Sequence, residues 1–397
     1  MRLRDYILFM MLLIVLFLPQ EARAQSVVEP PDLEEQERLI EFQLKRLGTS
    51  EVEAFWQRVR EEYDGFLPEN QPRELSDFFQ FEGSIFSLNL LKGFVLYVFH
   101  ELLLNGKLLV VIVLLTVFSM ILENIQSAFE RNNVSKVAYA ITYLVIFIIA
   151  INSFHVAMTY AQEAIANMVH FMMALIPLLL ALIASMGNIT TVSLFHPLII
   201  FLINTSGILI HNIVFPLLLF SSILGIVSAF SEQYKVSQLA NLLRNLSVGL
   251  LGVFLTVFLG VVSVQGATSA VVDGVTVKAA KFVTSNFVPI VGRMFTDATD
   301  TVIGASLLIK NTIGLAGVII LILLTAFPAL KILTIALIFN FSAAVLQPLG
   351  NASVIACLNV IGKNLLFVFA ALATVCLMFF LGLTIIIAAG NLSVMVR

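Results

Sequence analysis

Apolar residues gather along this chain in blocks long enough to cross a bilayer as helices. Leu108–Leu122, Val137–Ile151, Met168–Met186, Leu194–Ile210, Ile213–Phe230, Leu246–Val264, Ile313–Phe327 and Leu365–Ala388 are clear blocks. Phe282–Leu308 and Leu330–Leu346 are weaker ones. A crossing helix needs about 20 predominantly apolar residues. The pattern predicts an all-α polytopic membrane protein: a bundle of about 7–9 transmembrane helices over 108–397. Between the blocks, Thr159–Asn167 is expected as a loop outside the cytoplasm, because it holds Glu163 and no base. The stretch 194–230 is barely long enough for two crossings, so a tight or re-entrant hairpin is expected around His211-Asn212.

Ahead of the blocks the pattern changes. Arg2 and Arg4, the apolar run Ile7–Leu18, Pro19 and Ala22-Arg23-Ala24 have the order of a cleaved signal peptide over 1–24, with an uncleaved anchor as the rival reading. Cleavage places the mature N-terminus outside the cytoplasm. Residues 25–84 form an acidic, extracytoplasmic segment with two short helices, Glu34–Leu47 and Glu51–Tyr63. Val52, Phe55 and Val59 share one face of the second, and Ser50 with Glu53 is its expected N-cap. Residues 85–107 are apolar but short, with Lys92 inside, and read as an interfacial segment or a loosely placed first helix.

Composition sharpens the division. The chain is 59% hydrophobic and 12% charged, with a mean hydropathy of +1.01. Residues 25–107 carry 16 acidic and 8 basic groups; residues 108–397 carry 7 and 11. No basic stripe suggests nucleic acid. Cys357 and Cys376 match no metal or redox spacing and read as small buried hydrophobes. There is no Walker A sequence, no G-x-S-x-G elbow and no second His after His100-Glu101 at zinc-protease spacing. No catalytic, cofactor or metal residue is assigned, and the chain is read as no enzyme.

The remaining chemistry is polar residues within apolar surroundings: Asn152, His155, His170, His196, Asn204, His211, Asn212, Asn340 and Gln347. Interhelical hydrogen bonding near span ends is the plainer reading, and a polar pathway the sharper one. Four matched pairs raise an internal tandem repeat, about 108–212, 213–324 and 325–397. Among them are Asn204-Thr205-Ser206-Gly207 with Asn311-Thr312-Ile313-Gly314, and Phe215-Pro216 with Phe327-Pro328. Repeats place sites at their junctions, which nominates Asn204, Gly207, Asn311 and Gly314. The most charged membrane-proximal stretch, Gly292–Thr301, puts Arg293, Asp297, Asp300 and Thr301 forward as an interfacial amphipathic helix or a pore-lining one.

Several stretches together resemble a known family. They are Gly65-Phe66-Leu67-Pro68-Glu69, Asn105-Gly106-Lys107-Leu108-Leu109, Val134-Ser135-Lys136-Val137-Ala138-Tyr139, Asn152-Ser153-Phe154-His155, Ala279-Ala280-Lys281-Phe282-Val283, Gln347-Pro348-Leu349-Gly350 and Ala388-Ala389-Gly390-Asn391. In order and nearly without gaps from Leu47 to Arg397, the chain resembles the stage III sporulation protein AE family. The resemblance implies a polytopic component of the stage III sporulation AA–AH complex, in the mother-cell membrane around the forespore. It implies partners in that complex, including a separate ATPase subunit, and stage II sporulation protein Q across the intermembrane space. It also implies a part in a secretion-like transenvelope channel for late forespore development. From the residues alone, a permease moving a small solute and a non-conducting scaffold remain alternatives.

Overall fold

The computed structural model describes residues 48–68, 71–79, 88–128, 133–230, 236–287, 291–349 and 352–395. The signal segment and the helix expected at Glu34–Leu47 lie outside them. The described residues are almost wholly helical: α1 Ser50–Glu62, a 3-10 turn Leu75–Phe79, α2 Leu88–Leu104, α3 Gly106–Ala128, α4 Asn133–Ser185, α5 Ile189–Leu209, α6 Phe215–Phe230, α7 Ser237–Phe287, α8 Val291–Leu346 and α9 Ala352–Met395.

Among the described residues, five stretches are long and apolar enough to cross a membrane: Ala140–Ser185, Ile189–Phe230, Ser237–Phe282, Thr299–Leu346 and Ser353–Met395. Leu88–Leu104 and Gly106–Phe118, bent by 45° between them, make a sixth if taken as one broken span. This is fewer than the seven to nine crossings expected, because predicted neighbours fuse. The loop expected at Thr159–Asn167 is the middle of α4, a 53-residue helix. Thr-Tyr-Ala-Gln-Glu-Ala-Ile-Ala-Asn holds no Gly or Pro and three alanines, so polarity changes there without any helix breaker. The hairpin expected at His211-Asn212 is a π-helical turn, Ile210–Val214, joining α5 to α6. Phe215 N–H donates to Ile210 O, five residues back. The widened turn sits just before Pro216, which has no N–H to give. Ile313–Phe327 and Leu330–Leu346 likewise join within α8, with Pro328 inside.

Cross-helix contacts fix the directions. Ser185 meets Ser306, a Cβ on Gly317 would meet Leu175, and Thr325 meets Met168, so α8 runs antiparallel to α4. Ser247 Oγ donates to Val214 O and Gly266 lies under Phe195, so α7 runs antiparallel to α5–α6. Lys310 reaches Ile387 and Asn340 lies against Gly362, so α9 runs antiparallel to α8. The result is an up-and-down five-helix bundle. Gly187, at φ +85°, ends α4: its N–H donates to Ala184 O and that of Asn188 to Ile183 O, the geometry of a left-handed glycine cap.

Small residues let the helices close. A Cβ on Gly317 would lie 2.4 Å from Leu175 Cδ2, and one on Gly225 2.7 Å from Val360 Cγ1. In lipid no water is released between apolar helices, so such close packing carries the association. The N-terminal segment packs on the bundle through aromatics. Tyr63 stacks on Phe327 at 3.9 Å, and Phe55 meets Phe171 edge-on at 5.4 Å. Trp56 is buried beside Phe78 and donates to Pro72 O. The expected N-cap shifts by one: α1 starts at Ser50 and Thr49 precedes it, its hydroxyl donating to the Glu53 carboxylate at 2.9 Å.

Candidate functional site

Three polar places stand out in this apolar body. The first is an open cleft of about 230 Å³ between α4 and α5, continued by the π turn. Gln162, His170, Asn204, Gly207 and His211 line it, with Ala166 and Val169 between them. His170, Asn204 and His211 are exposed. A Cβ on Gly207 would touch Val169 at 3.4 Å, so the glycine lets α5 lie close to α4 there. The π turn rotates His211 and Asn212 onto the outer side, and such turns recur at functional sites. Of the residues named from the repeat, the structure brings Asn204 and Gly207 into this cleft. Asn311 and Gly314 lie elsewhere on α8: Asn311 is exposed, and Gly314 is buried under Ile387.

The second place is a buried layer near the start of α5. The Asp273 carboxylate, 2% exposed, accepts from the backbone N–H groups of Thr190 (3.0 Å) and Thr191 (2.7 Å). It caps α5 from another helix, satisfying amides that have no partner within α5. Ser393 donates to Asn188 Oδ1 at 2.7 Å, and Ser185 to Ser306 at 2.9 Å. Lys310, fully buried, donates from Nζ to Ile387 O at 3.0 Å and to Asn391 Oδ1. Sequence reasoning gave Lys310 and Asp273 no role. The nearby small or polar positions Gly390, Asn391 and Ser393, at the end of a long apolar run, were the available signal.

The third place joins the N-terminal segment to the bundle. The Glu101 carboxylate, buried in α2, lies 3.5 Å from Lys331 Nζ of α8 and accepts from Asn105 Nδ2 at 3.0 Å. Lys331 also sits 4.1 Å above the Tyr160 ring. Tyr63 donates to Glu62, and its burial, with that carboxylate beside it, pushes its phenol well above the usual range, so it stays protonated.

The charged stretch Gly292–Thr301 opens α8. The side chains of Arg293 and Asp297 lie outside the described residues; Asp300 is exposed and pairs with Lys281 of α7, while Thr301 is half-buried. Cys357 is buried and Cys376 half-buried. Among the described residues no group of three or more His, Cys, Asp or Glu is placed to hold a metal ion.

No solved structure matches this chain significantly. A family model, Stage III sporulation protein AE, matches residues 72–390. A stage III sporulation protein AE of Bacillus subtilis (strain 168) is 56% identical over 361 residues, covering 91% of this chain and 90% of that protein. The ordered motifs, the all-helical membrane body and these matches agree, and the chain belongs to the stage III sporulation protein AE family.

Proposed function

We propose that this chain is the non-enzymatic membrane core of a secretion-like transenvelope channel between mother cell and forespore, needed for late forespore development. It works there with the other stage III sporulation AA–AH proteins, including a separate ATPase subunit. It meets stage II sporulation protein Q across the intermembrane space. Its place is the mother-cell membrane surrounding the forespore. The observation that supports this reading best is the pairing of family membership with a five-helix apolar body that docks a charged N-terminal segment. The body supplies the membrane part, and the segment supplies a surface on which partner ectodomains can assemble.

The test uses a sporulating host that lacks its own relative. The full chain is expected to restore late forespore gene expression and to co-isolate the other complex members after cross-linking. A chain lacking residues 48–79 is expected to reach the membrane and co-isolate none. Normal assembly without the segment overturns its partner role, and restored development without any co-isolated partner overturns the complex. A second reading, a permease acting by itself, is favoured by the cleft at Asn204 and His170. Solute flux into vesicles holding only this chain, abolished by Asn204→Ala, would decide for it; no flux decides for the assembly.

A further inference from the structure

We propose that the face built by Gln162, Glu163, Ala166 and His170 of α4 with Asn204 and His211 of α5 and the π turn borders water at a depth where α7 borders lipid. The geometry points to one wall of an aqueous path through the membrane.

Depth comes first. On α8, Lys310 and Lys331 bracket 311–330, which carry no charged side chain. At 1.5 Å per residue they are about 31 Å apart along the axis, the thickness of a hydrocarbon core. The contacts of Lys331 with Tyr160 and of Gly317 with Leu175 carry this slab across to Gln162, Glu163 and His170 of α4. The contacts of α7 carry it to α5: Asn204 and His211 lie between the level of Phe195, at Gly266, and that of Val214, at Ser247.

At this one depth the two sides of the molecule differ. From Ser247 to Val264, the exposed apolar side chains of α7 are Val248, Val253, Val257 and Val264, at 44–69% exposure. Its exposed polar side chains there are the hydroxyls of Thr256 and Ser263, and Thr256 donates to its own helix at Gly252 O. That surface suits lipid. The α4–α5 side exposes a carboxylate, two imidazoles and an amide at the same height, interleaved with Met173, Phe201, Ile208 and Ile213 at 36–65% exposure. Glu163 lies about one turn inside the Lys331 boundary, while His170 and Asn204 lie deeper, where polar groups are costly against hydrocarbon; α7 exposes no such group there, and the stripe points to water.

A second observation is independent of that stripe. α1 exposes Glu51, Arg58, Glu61 and Glu62, and cannot lie in lipid. It nevertheless docks at Phe171 of α4 and, through Tyr63 beyond its end, at Phe327 of α8, both within the slab. Water therefore reaches this depth beside α1, along the groove between α4 and α8, on the other edge of α4 from the stripe.

The inference deepens the proposed function and rests on that reading for what the path serves. The test starts from the full chain with Cys357 and Cys376 replaced by Ala, in membrane vesicles, with a charged, membrane-impermeant thiol reagent applied to both faces. Single cysteines replace Glu163, Ala166, His170, Asn204 and His211, and, for comparison, Val253, Val257 and Val264. Only a hydrated thiol forms the reactive thiolate. The first set is expected to label at least about tenfold faster than the second. Ala166→Cys removes no polar group and keeps the test valid if Glu163→Cys fails to fold. Equal rates in the two sets overturn the inference. Forespore development with Ala166→Trp, which fills the cleft, separates the two readings. A labelled face with normal development keeps the aqueous wall and removes its transport role. An unlabelled face with arrested development overturns the wall and leaves the channel role standing.

Discussion

At the scale of single residues, close approach decides more than polarity. Gly93 of α2 lies against the backbone of Phe66: a Cβ there would sit 1.9 Å from the Phe66 carbonyl oxygen. That oxygen is main chain and cannot turn aside. Gly93→Ala is expected to lift the N-terminal segment from α2 and lower stability by about 1–3 kcal/mol. Limited proteolysis in detergent should then cut within residues 48–79 at least several times faster than in the parent, and an unchanged cleavage rate would reject the packing. Asp273 gives a second case. Its two carboxylate oxygens take the Thr190 and Thr191 N–H groups, and an amide side chain has only one oxygen to offer. Asp273→Asn is expected to cost about 1–2 kcal/mol, and Asp273→Ala more, read as thermal unfolding of the purified chain. Equal melting of all three would show that α5 is capped otherwise.

At the scale of elements, tertiary contacts tie together pieces that composition keeps apart. Residues 85–107 read from sequence as an interfacial segment, and the structure makes most of them α2, held to α8 by Glu101 and Lys331. Both partners must go together. Lys331→Met leaves a buried carboxylate without its cation, expected to cost about 3 kcal/mol. Glu101→Gln with Lys331→Met is expected to recover much of it, because no charge is then stranded. A double variant no better than Lys331→Met alone would mean the pair is not coupled. The same scale shows where sequence reasoning failed. It treated Thr159–Asn167 as a loop because it interrupts the apolar blocks with Glu163 and no base, and His211-Asn212 as a hairpin because 194–230 is just long enough for two crossings. A helix stops for lack of backbone partners or for Gly and Pro, and neither stretch supplies that reason, so both stay helical.

At the scale of the whole molecule, helix fusion resets the order of sides. Each of the five long helices runs the length of the bundle, so the turn at Gly187 and the end of α9 at Met395 lie at one end, and Ser237 at the other. Reporter fusions at Gly187 and Met395 are expected to report the same side of the membrane, and one at Ser237 the opposite side. Gly187 and Ser237 on one side would restore the hairpin between α5 and α6. The longest of these helices to start outside the slab, α4 with 53 residues, spans about 80 Å, more than one bilayer thickness.

The sequence by itself determined the class of this protein: apolar blocks of crossing length in a chain 12% charged leave lipid as the solvent. It also determined the family, through ordered motifs; the repeat that named Asn204 and Gly207 named Asn311 and Gly314 equally, and sequence offered no reason to separate the two pairs. The tertiary structure decided how blocks join, since a helix boundary depends on backbone geometry rather than hydropathy. It decided that Lys310 and Asp273, far from their partners in sequence, are buried with them: Lys310 against Ile387 and Asn391, Asp273 on the start of α5. It alone decided which face each polar residue takes, because sidedness arises when five helices pack: α4, α5 and the π turn expose Glu163, His170, Asn204 and His211, and α7 exposes none of that kind from Ser247 to Val264.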